Sequence, residues 1–479
     1  MNLKKISLII FIVGSLAACK KELVIEPEQS VSDQTVFTSK AGAQAALTGV
    51  YSSAQILDVF GALPQVINDY WADNVEFVGS FPTLQEISQF TTIATNTNVQ
   101  LIWQNHYRVI IRANTIIDRV PGITDASFTD AQKKQMVAEA KFMRAITYFQ
   151  LVNLFAQPFT CSNGSNPGVP LVLKEFNEGQ VEFPARSTVT EVHSQIKKDL
   201  EEAITDLPVT HATASDTRGK ATKGAARALL SRFHLYRREW TQAADRANEV
   251  LTATPTYVLA ANYSFYDQLS TEDIFVSIMT TTDNSRTGAG GWGSYHRPAS
   301  SGGRGDAPFS TSLVQAYLAE PGDKRLNLSD SAVAADGVRR RFTLKYFDAR
   351  TNGDDAPLIR VSEMYLNRAE ALAEINGINQ TSIDLINALR KRAGLENWSL
   401  LTFLTQQEFI DAILNERRKE LAFEGHRRMD LLRKGKSLRT TGATAAISAP
   451  CTGQKVILPI PQRELDINPS LKGQQNPGY

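Results

Sequence analysis

The chain has 479 residues, with 51 basic and 50 acidic side chains and a formal net charge of +1 at pH 7. This length is sufficient for a large hydrophobic core and by itself allows two to four domains. The near balance of charge gives no electrostatic field that favours nucleic acid, so nucleic acid is not an expected partner.

The N-terminus carries the pattern of an export signal. A basic start precedes an apolar run over residues 6–16, which is shorter than the roughly 20 residues that span a bilayer. The letters LAAC at residues 16–19 resemble a bacterial lipobox, in which the cysteine is acylated and becomes the new N-terminus. We therefore expect a lipoprotein signal peptide over 1–18, a lipid anchor on Cys19 and a flexible tether over 19–36. The alternative is an ordinary signal peptide in which the cysteine occurs by chance.

From about residue 37 the chain shows helical periodicity, with apolar residues three and four positions apart. Thr129 or Asp130 is expected to cap a long amphipathic helix, and Pro208 is expected to end a later one. The pattern predicts a mainly α fold of paired helices joined by short turns, over about 37–257 and 358–435.

Two segments depart from this pattern. Residues 258–357 are rich in Gly, Ser, Asp and aromatic residues, and are expected to form an irregular, loop-rich insert. The tail over 455–479 is too rich in proline for a helix and is expected to lie as extended chain over the core.

The segment 227–255 resembles one tetratricopeptide unit. The small residues Ser231, Ala243 and Ala247 fall where two helices would approach each other, and Pro255 closes the second helix. A bare antiparallel helix hairpin has much the same pattern, so one degenerate unit leaves both interpretations open.

The segment 416–435, ERRKELAFEGHRRMDLLRKG, is dense enough in Glu, Arg and His to resemble a catalytic cluster. Its spacing favours a scaffold helix instead, with Leu414, Leu421 and Phe423 facing inward and ion pairs facing outward.

Two stretches, 68–90 and 283–306, have the composition of a sugar-binding surface. Aromatic rings stack on the apolar faces of sugars, while Asp, Asn and Arg side chains pair with the hydroxyl groups. The candidate ligand-binding residues are Phe77, Phe81, Asp73, Asn74, Trp292, Tyr295 and Arg297.

Trp292 is the sharpest of these candidates, because glycines on both sides remove neighbouring bulk and predict an exposed indole. The alternative places Trp292 and Tyr295 in the core. Tyr70 and Trp71 are expected in the core of the early helices, and Trp103 lies on a strongly periodic helix and is expected there too.

No catalytic, metal or cofactor site is expected. The six histidines lack metal-ligand spacing, and the Arg-Gly-Asp triplet at 304–306 is interpreted as a chance likeness to an integrin ligand. Asp354 and Asp355 could form a glycosidase pair only at a suitable separation in space, which a sequence does not give. Cys161 and Cys451 can form a disulfide or remain free thiols, and their spacing does not decide between the two.

Six segments in order along most of the chain resemble the SusD/RagB family of outer-membrane lipoproteins from Bacteroidetes-type bacteria. They are AEAKFMRAITYFQLVNLF (138–155), RGKATKGAARALLSRFHLY (218–236), LIRVSEMYLNRAEALAEING (358–377), INALRKRAGL (386–395), ILNERRKELAFEGHRRMDLLRKG (413–435) and LPIPQRELDINPSLKGQQNPGY (458–479). The segment 258–357 matches least.

The resemblance implies one SusD-like domain over 37–479, with a tetratricopeptide-like helical scaffold. It also implies a non-enzymatic protein on the outer face of the outer membrane, anchored in lipid through acylated Cys19. Such a protein captures an oligosaccharide and delivers it to a SusC-type TonB-dependent transporter. The RagB branch suggests peptide as an alternative cargo, and a cell-surface glycoside hydrolase is the alternative from another class.

Overall fold

The computed structural model describes residues 36–176, 182–253, 257–285, 290–439 and 447–479. The expected signal peptide, the lipidation site at Cys19 and nearly all of the tether lie outside the described residues. Most of the regular structure in the described ranges is α-helix, which confirms the mainly α prediction.

The helices are α1 Lys40–Gln55, α2 Leu63–Trp71, α3 Pro82–Ser88, α4 Thr97–Arg119, α5 Asp130–Phe155, α6 Val189–Asp206, α7 Ala214–Gly219, α8 Lys223–Tyr236, α9 Trp240–Leu251, α10 Trp292–His296, α11 Thr311–Leu318, α12 Val361–Asn376, α13 Gln380–Ala393, α14 Gln406–Glu420, α15 Arg427–Arg433 and α16 Gln462–Ile467. The strands are β1 Pro167–Pro170, β2 Arg186–Thr188, β3 Asp273–Ser277, β4 Ser329–Val333, β5 Arg339–Thr343 and β6 Ala356–Arg360. They form three antiparallel pairs, β1–β2, β3–β6 and β4–β5. The β4–β5 hairpin keeps a regular register from Ser329 opposite Thr343 to Val333 opposite Arg339.

Local sequence signals set several helix ends. The Thr129 hydroxyl accepts a hydrogen bond from the Gln132 backbone N–H, and the Gln132 side chain accepts one from the Thr129 backbone N–H, which completes a capping box at the start of α5. Of the two predicted caps, Thr129 is therefore the correct one. Helix α6 ends at Asp206, two residues before Pro208, as the proline predicts.

Helix α5 packs between its neighbours in the chain, α4 and α6. Helix α9 packs between its neighbour α8 and the distant α12. Ala243 and Ala247 of α9 are fully buried, and the Ser231 hydroxyl of α8 donates to the Ala243 carbonyl oxygen at 2.9 Å. Small residues allow this close approach of two helices. The tetratricopeptide-like character of the pair stays a prediction.

The charged segment 416–435 is buried rather than exposed. Leu414, Leu421 and Phe423 face inward as predicted, but the prediction that the charges face outward is wrong. The nearly fully buried charged residues of this segment are Glu416, Arg417, Lys419, Glu420, Glu424, Arg428, Asp430 and Arg433. Most of these charges meet opposite charges on other elements, and two bonds from the Arg433 guanidinium to Glu370 of α12 are an example. Such pairing is what makes burial of a charge tolerable.

The insert and the tail are tied to the helical core. The insert carries β3, α10, α11 and the β4–β5 hairpin, in agreement with its predicted poverty in helical repeats. In the tail, the Leu458 N–H donates to the Leu154 carbonyl at 2.8 Å, and Cys451 just before the tail forms a disulfide with Cys161. The prediction of a helix-free tail is wrong at α16, which starts directly after Pro461, because proline is tolerated at the start of a helix. No helix in the described ranges has both the length and the apolar character needed to cross a bilayer.

Candidate binding surface

The two stretches predicted to bind ligand meet on one surface. The backbone of residues 75–81 runs beside residues 304–309, with the Glu76 N–H donating to Pro308 O at 3.1 Å and the Val78 N–H donating to Asp306 O at 2.8 Å. These bonds hold together segments that are more than 200 residues apart in the chain.

An exposed aromatic ring lies next to a guanidinium group at this junction. The Phe81 side chain is 52% exposed, and the central carbon of the Arg304 guanidinium lies 3.7 Å from the centre of its ring. The same guanidinium lies 4.9 Å from the ring centre of the buried Tyr295. Cation–π attraction of this kind holds Arg304 in place against both rings. We refer to Phe77, Phe81, Tyr295, Arg304 and Asp306 as the Phe81 surface.

A carboxylate fixes the guanidinium from the other side. Arg304 Nε donates to Asp306 Oδ2 at 2.9 Å. Burial raises the pKa of Asp306, although the bond from Arg304 works in the opposite direction. The backbone at Gly79 passes so close to this carboxyl that a Cβ atom there would lie 2.5 Å from Asp306 Cγ, so a side chain at this position would displace the carboxyl.

Core aromatic residues form the support beneath the Phe81 surface. Tyr70 and Trp71 are fully buried, and Trp103 is nearly so, which confirms the predictions for all three. The Tyr70 ring centre lies 4.9 Å from that of the half-buried Phe77, and the Tyr70 hydroxyl donates to Tyr295 O at 2.9 Å. Tyr70 therefore connects the two stretches from below.

The predicted exposure of Trp292 is wrong. Its side chain is 1% exposed, and its ring centre lies 4.9 Å from that of Tyr346. The flanking glycines serve close packing rather than ligand access, since a Cβ on Gly291 would lie 2.5 Å from the Asn352 side-chain oxygen. Because position 291 has no side chain, α10 can pack closely against the segment that contains Asn352, and this packing covers the indole.

Three of the polar candidates form ion pairs or hydrogen bonds with other residues of the fold. Asp73 accepts from Arg427 Nε at 2.6 Å, and the buried Asn74 accepts from Arg418 Nε at 2.8 Å. Arg297 is buried as well, 3.1 Å from the Asp330 carboxylate. The structure thus brings Phe77, Phe81 and Tyr295 together, and it places the polar candidates in supporting contacts.

Two family models match this chain. A model described as "SusD family" matches residues 337–479, and a model described as "Starch-binding associating with outer membrane" matches residues 25–235. The chain belongs to the SusD/RagB family.

Relatives of this SusD-family chain match it over nearly its whole length. The "SusD-like protein P25" of Formosa agariphila is 26% identical to it, over 98% of each chain. The crystal structure of a SusD superfamily protein from Bacteroides fragilis superposes with a TM-score of 0.80 at 25% identity, covering 91% of this chain and 100% of that one. A structure described as a laminarin-binding SusD-like protein superposes with a TM-score of 0.71 at 25% identity, covering 92% and 100% of the two chains.

Sequence reasoning missed two residues of the Phe81 surface. Arg304 and Asp306 belong to the Arg-Gly-Asp triplet that was interpreted as chance. The signal that points to them is a charged pair next to a glycine-rich stretch with aromatic residues, and not the likeness to an integrin ligand.

The paired carboxyls Asp354 and Asp355 accept backbone hydrogen bonds. Asp355 Oδ1 accepts from the Met279 N–H at 2.7 Å, and Asp354 Oδ2 accepts from the Asp348 N–H at 2.8 Å. Burial raises the pKa of Asp355 to about 6. Both carboxyls therefore help to fix loops of the insert.

Proposed function

We propose that this protein is a cell-surface lipoprotein that binds an oligosaccharide at the Phe81 surface. In this proposal Cys19 carries the lipid anchor in the outer membrane, and the bound glycan passes to a SusC-type TonB-dependent transporter. The protein performs no catalysis on the glycan. The single observation that carries the proposal is the exposed Phe81 ring beside the fixed Arg304–Asp306 pair.

The chemistry of this surface suits a sugar. A pyranose ring has an apolar face that can stack on the exposed part of Phe81. Its hydroxyl groups can accept from the Arg304 guanidinium, which the buried Asp306 carboxylate holds in place. Because the guanidinium is already held by Asp306 and by two rings, little side-chain entropy is lost when the ligand binds.

The comparisons support the class of ligand. One matching family model is described as starch-binding, and a structural neighbour that covers 92% of this chain is described as laminarin-binding. The "associating with outer membrane" part of the family description supports the proposed location.

A binding experiment with purified mature protein tests the proposal. A glycan array identifies a ligand, and titration then compares the parent protein with Phe81→Ala. Loss of a central aromatic contact of this kind costs at least about 2 kcal/mol, so affinity should fall roughly thirtyfold. The melting temperature should stay close to that of the parent, because an exposed residue contributes little to packing.

Phe176→Ala is the matched control. Phe176 is 54% exposed and follows Glu175, which pairs with Arg119 at the end of α4. Phe81 lies close to the other end, where Asn98 near the start of α4 donates to Thr83 at 3.0 Å. Helix α4 has 23 residues, so the two phenylalanines are separated by roughly 30 Å of helix. The control should bind like the parent.

Three results would contradict the proposal. Unchanged glycan affinity in Phe81→Ala would show that the glycan does not bind at the Phe81 surface. Selective binding of peptides on a parallel peptide panel would show that the cargo is peptide. Release of reducing ends from a bound glycan by the parent protein identifies a hydrolase instead.

A further inference from the structure

A cavity lies between α1 and α5, and none of the residues that line it belongs to the Phe81 surface. Its volume is about 420 Å³, within the range of small-molecule sites. It is lined by Lys40, Gln44, Leu47, Thr48, Tyr51, Phe128, Gln132, Gln135, Met136, Glu139, His211 and Lys220.

A buried carboxyl group forms the floor of this cavity. Glu139 is 4% exposed, and its Oε2 accepts from the Tyr51 hydroxyl at 2.9 Å while its Oε1 accepts from Gln135 Nε2 at 3.1 Å. The Tyr51 oxygen in turn accepts from the Ala221 N–H at 3.0 Å. Each carboxyl oxygen accepts one bond from these neighbours and keeps capacity for another. Among the residues that the structure describes, none forms a direct ion pair with Glu139, so the floor is a fixed hydrogen-bond acceptor.

The mouth of this cavity carries positive charge. The lining contains two lysines and a single acidic residue, the Glu139 of the floor. Lys220 pairs with Asp216 at 2.8 Å. In the described ranges the Lys40 ammonium makes no ion pair within 4 Å, although its charge acts on Asp125, which also accepts from the Lys40 backbone N–H at 2.8 Å. A ligand acid at the mouth would meet Lys40 without displacing an existing ion pair.

The remaining walls combine apolar and amide groups. Leu47, Phe128 and Met136 contribute apolar groups, and the more exposed Gln44 and Gln132 contribute amides. An apolar wall together with neutral hydrogen-bonding groups is the environment that suits a sugar ring.

We propose that this cavity binds one acidic sugar residue of the hexuronate class. The ring lies against the wall formed by Phe128 and Met136, its hydroxyl groups donate to Glu139, and its carboxylate pairs with Lys40. This site is separate from the Phe81 surface and does not depend on the function proposed for that surface.

Titration of the purified mature protein with sodium glucuronate and with glucose tests the proposal. Glucuronate should bind more tightly than glucose. A charge-assisted hydrogen bond is roughly twice as strong as a neutral one, so Lys40→Met should lower glucuronate affinity about tenfold and remove most of the preference. Lys134→Met, an exposed lysine of α5 outside the cavity lining, is the matched control and should bind like the parent.

Two further variants locate the site. Gln44→Trp places a bulky side chain in the cavity from an exposed position on α1. Combined with Phe81→Ala, so that the Phe81 surface does not contribute, it should abolish binding of both sugars. Phe81→Ala should leave glucuronate affinity unchanged, so a failure at this cavity is distinguishable from a failure at the Phe81 surface. The proposal would be overturned by equal affinities for glucuronate and glucose in the parent, or by equal effects of the two lysine variants. It would also be overturned by retained binding in the double variant, or by loss of glucuronate binding in Phe81→Ala.

Discussion

Replacement of one buried carboxylate tests how the charge network supports the fold. Glu420 is 1% exposed, and its Oε1 lies 2.9 Å from Arg360 Nη1 and 2.7 Å from Arg392 Nη2. Its other oxygen accepts from the Tyr263 hydroxyl at 3.1 Å. Glu420→Gln preserves the shape of the side chain but leaves the two guanidinium groups with less negative charge around them.

The expected loss is large. Removal of one partner from a buried ion pair costs about 3–5 kcal/mol, because the remaining charge stays buried without compensation. Glu272 and Glu424 still pair with Arg360, so the lower part of this range is expected. Urea-induced unfolding followed by circular dichroism measures the difference in unfolding free energy.

An exposed ion pair in the same region provides the control. Asp411 pairs with Lys436 at 2.6 Å, and about half of each side chain is exposed. Exposed pairs contribute about 0–1 kcal/mol, so Asp411→Asn should unfold close to the parent. If Glu420→Gln and Asp411→Asn shift the urea midpoint equally, the network does not stabilise the fold in the way its geometry indicates.

The pH dependence of the same variant gives a second check. Burial alone raises the pKa of Glu420, but Arg392, Arg360 and Arg325 together hold it well below its ordinary value. A carboxyl with a lowered folded-state pKa stabilises the fold above its unfolded pKa of about 4.3, and this contribution is lost as the pH falls toward the folded value. The gap in unfolding free energy between parent and Glu420→Gln should therefore be constant near neutral pH and should narrow below about pH 4. A gap that widens in acid would refute the assigned direction.

Three further predictions concern other parts of the chain. Trp292→Ala should destabilise the protein by about 3–5 kcal/mol, because the indole is buried against Tyr346, and an unchanged melting temperature would contradict this placement. Ala243→Leu should cost about 1–3 kcal/mol by overpacking the contact between α8 and α9, whereas a parent-like thermal transition would show that the contact tolerates bulk. Cys19→Ala should abolish metabolic acyl labelling and release the protein from the membrane fraction, and label retained on the variant would refute the lipobox interpretation.

The candidate site shows how far local sequence patterns reach. Composition located the two stretches that meet at the Phe81 surface, and it placed Phe81 among seven candidate residues. The prediction that Trp292 is exposed is wrong, because sequence does not distinguish a glycine that exposes its neighbour from a glycine that allows a second segment to pack closely. Only the three-dimensional structure shows which segment occupies the space beside Gly291.

The sequence by itself determined the helical elements and several of their ends. A capping threonine, a terminating proline and apolar residues at helical spacing act within a few positions of one another, so they can be read without knowledge of distant segments. Tertiary structure decided which charges are buried, which aromatic rings remain exposed and which cysteines pair. These outcomes depend on contacts between distant segments, such as Glu420 with Arg360 or Cys161 with Cys451, 290 positions apart. The periodicity of an amphipathic helix shows which face is apolar. It does not show whether the charged face meets solvent or an arginine of another helix, because the sequence spacing is the same in both cases.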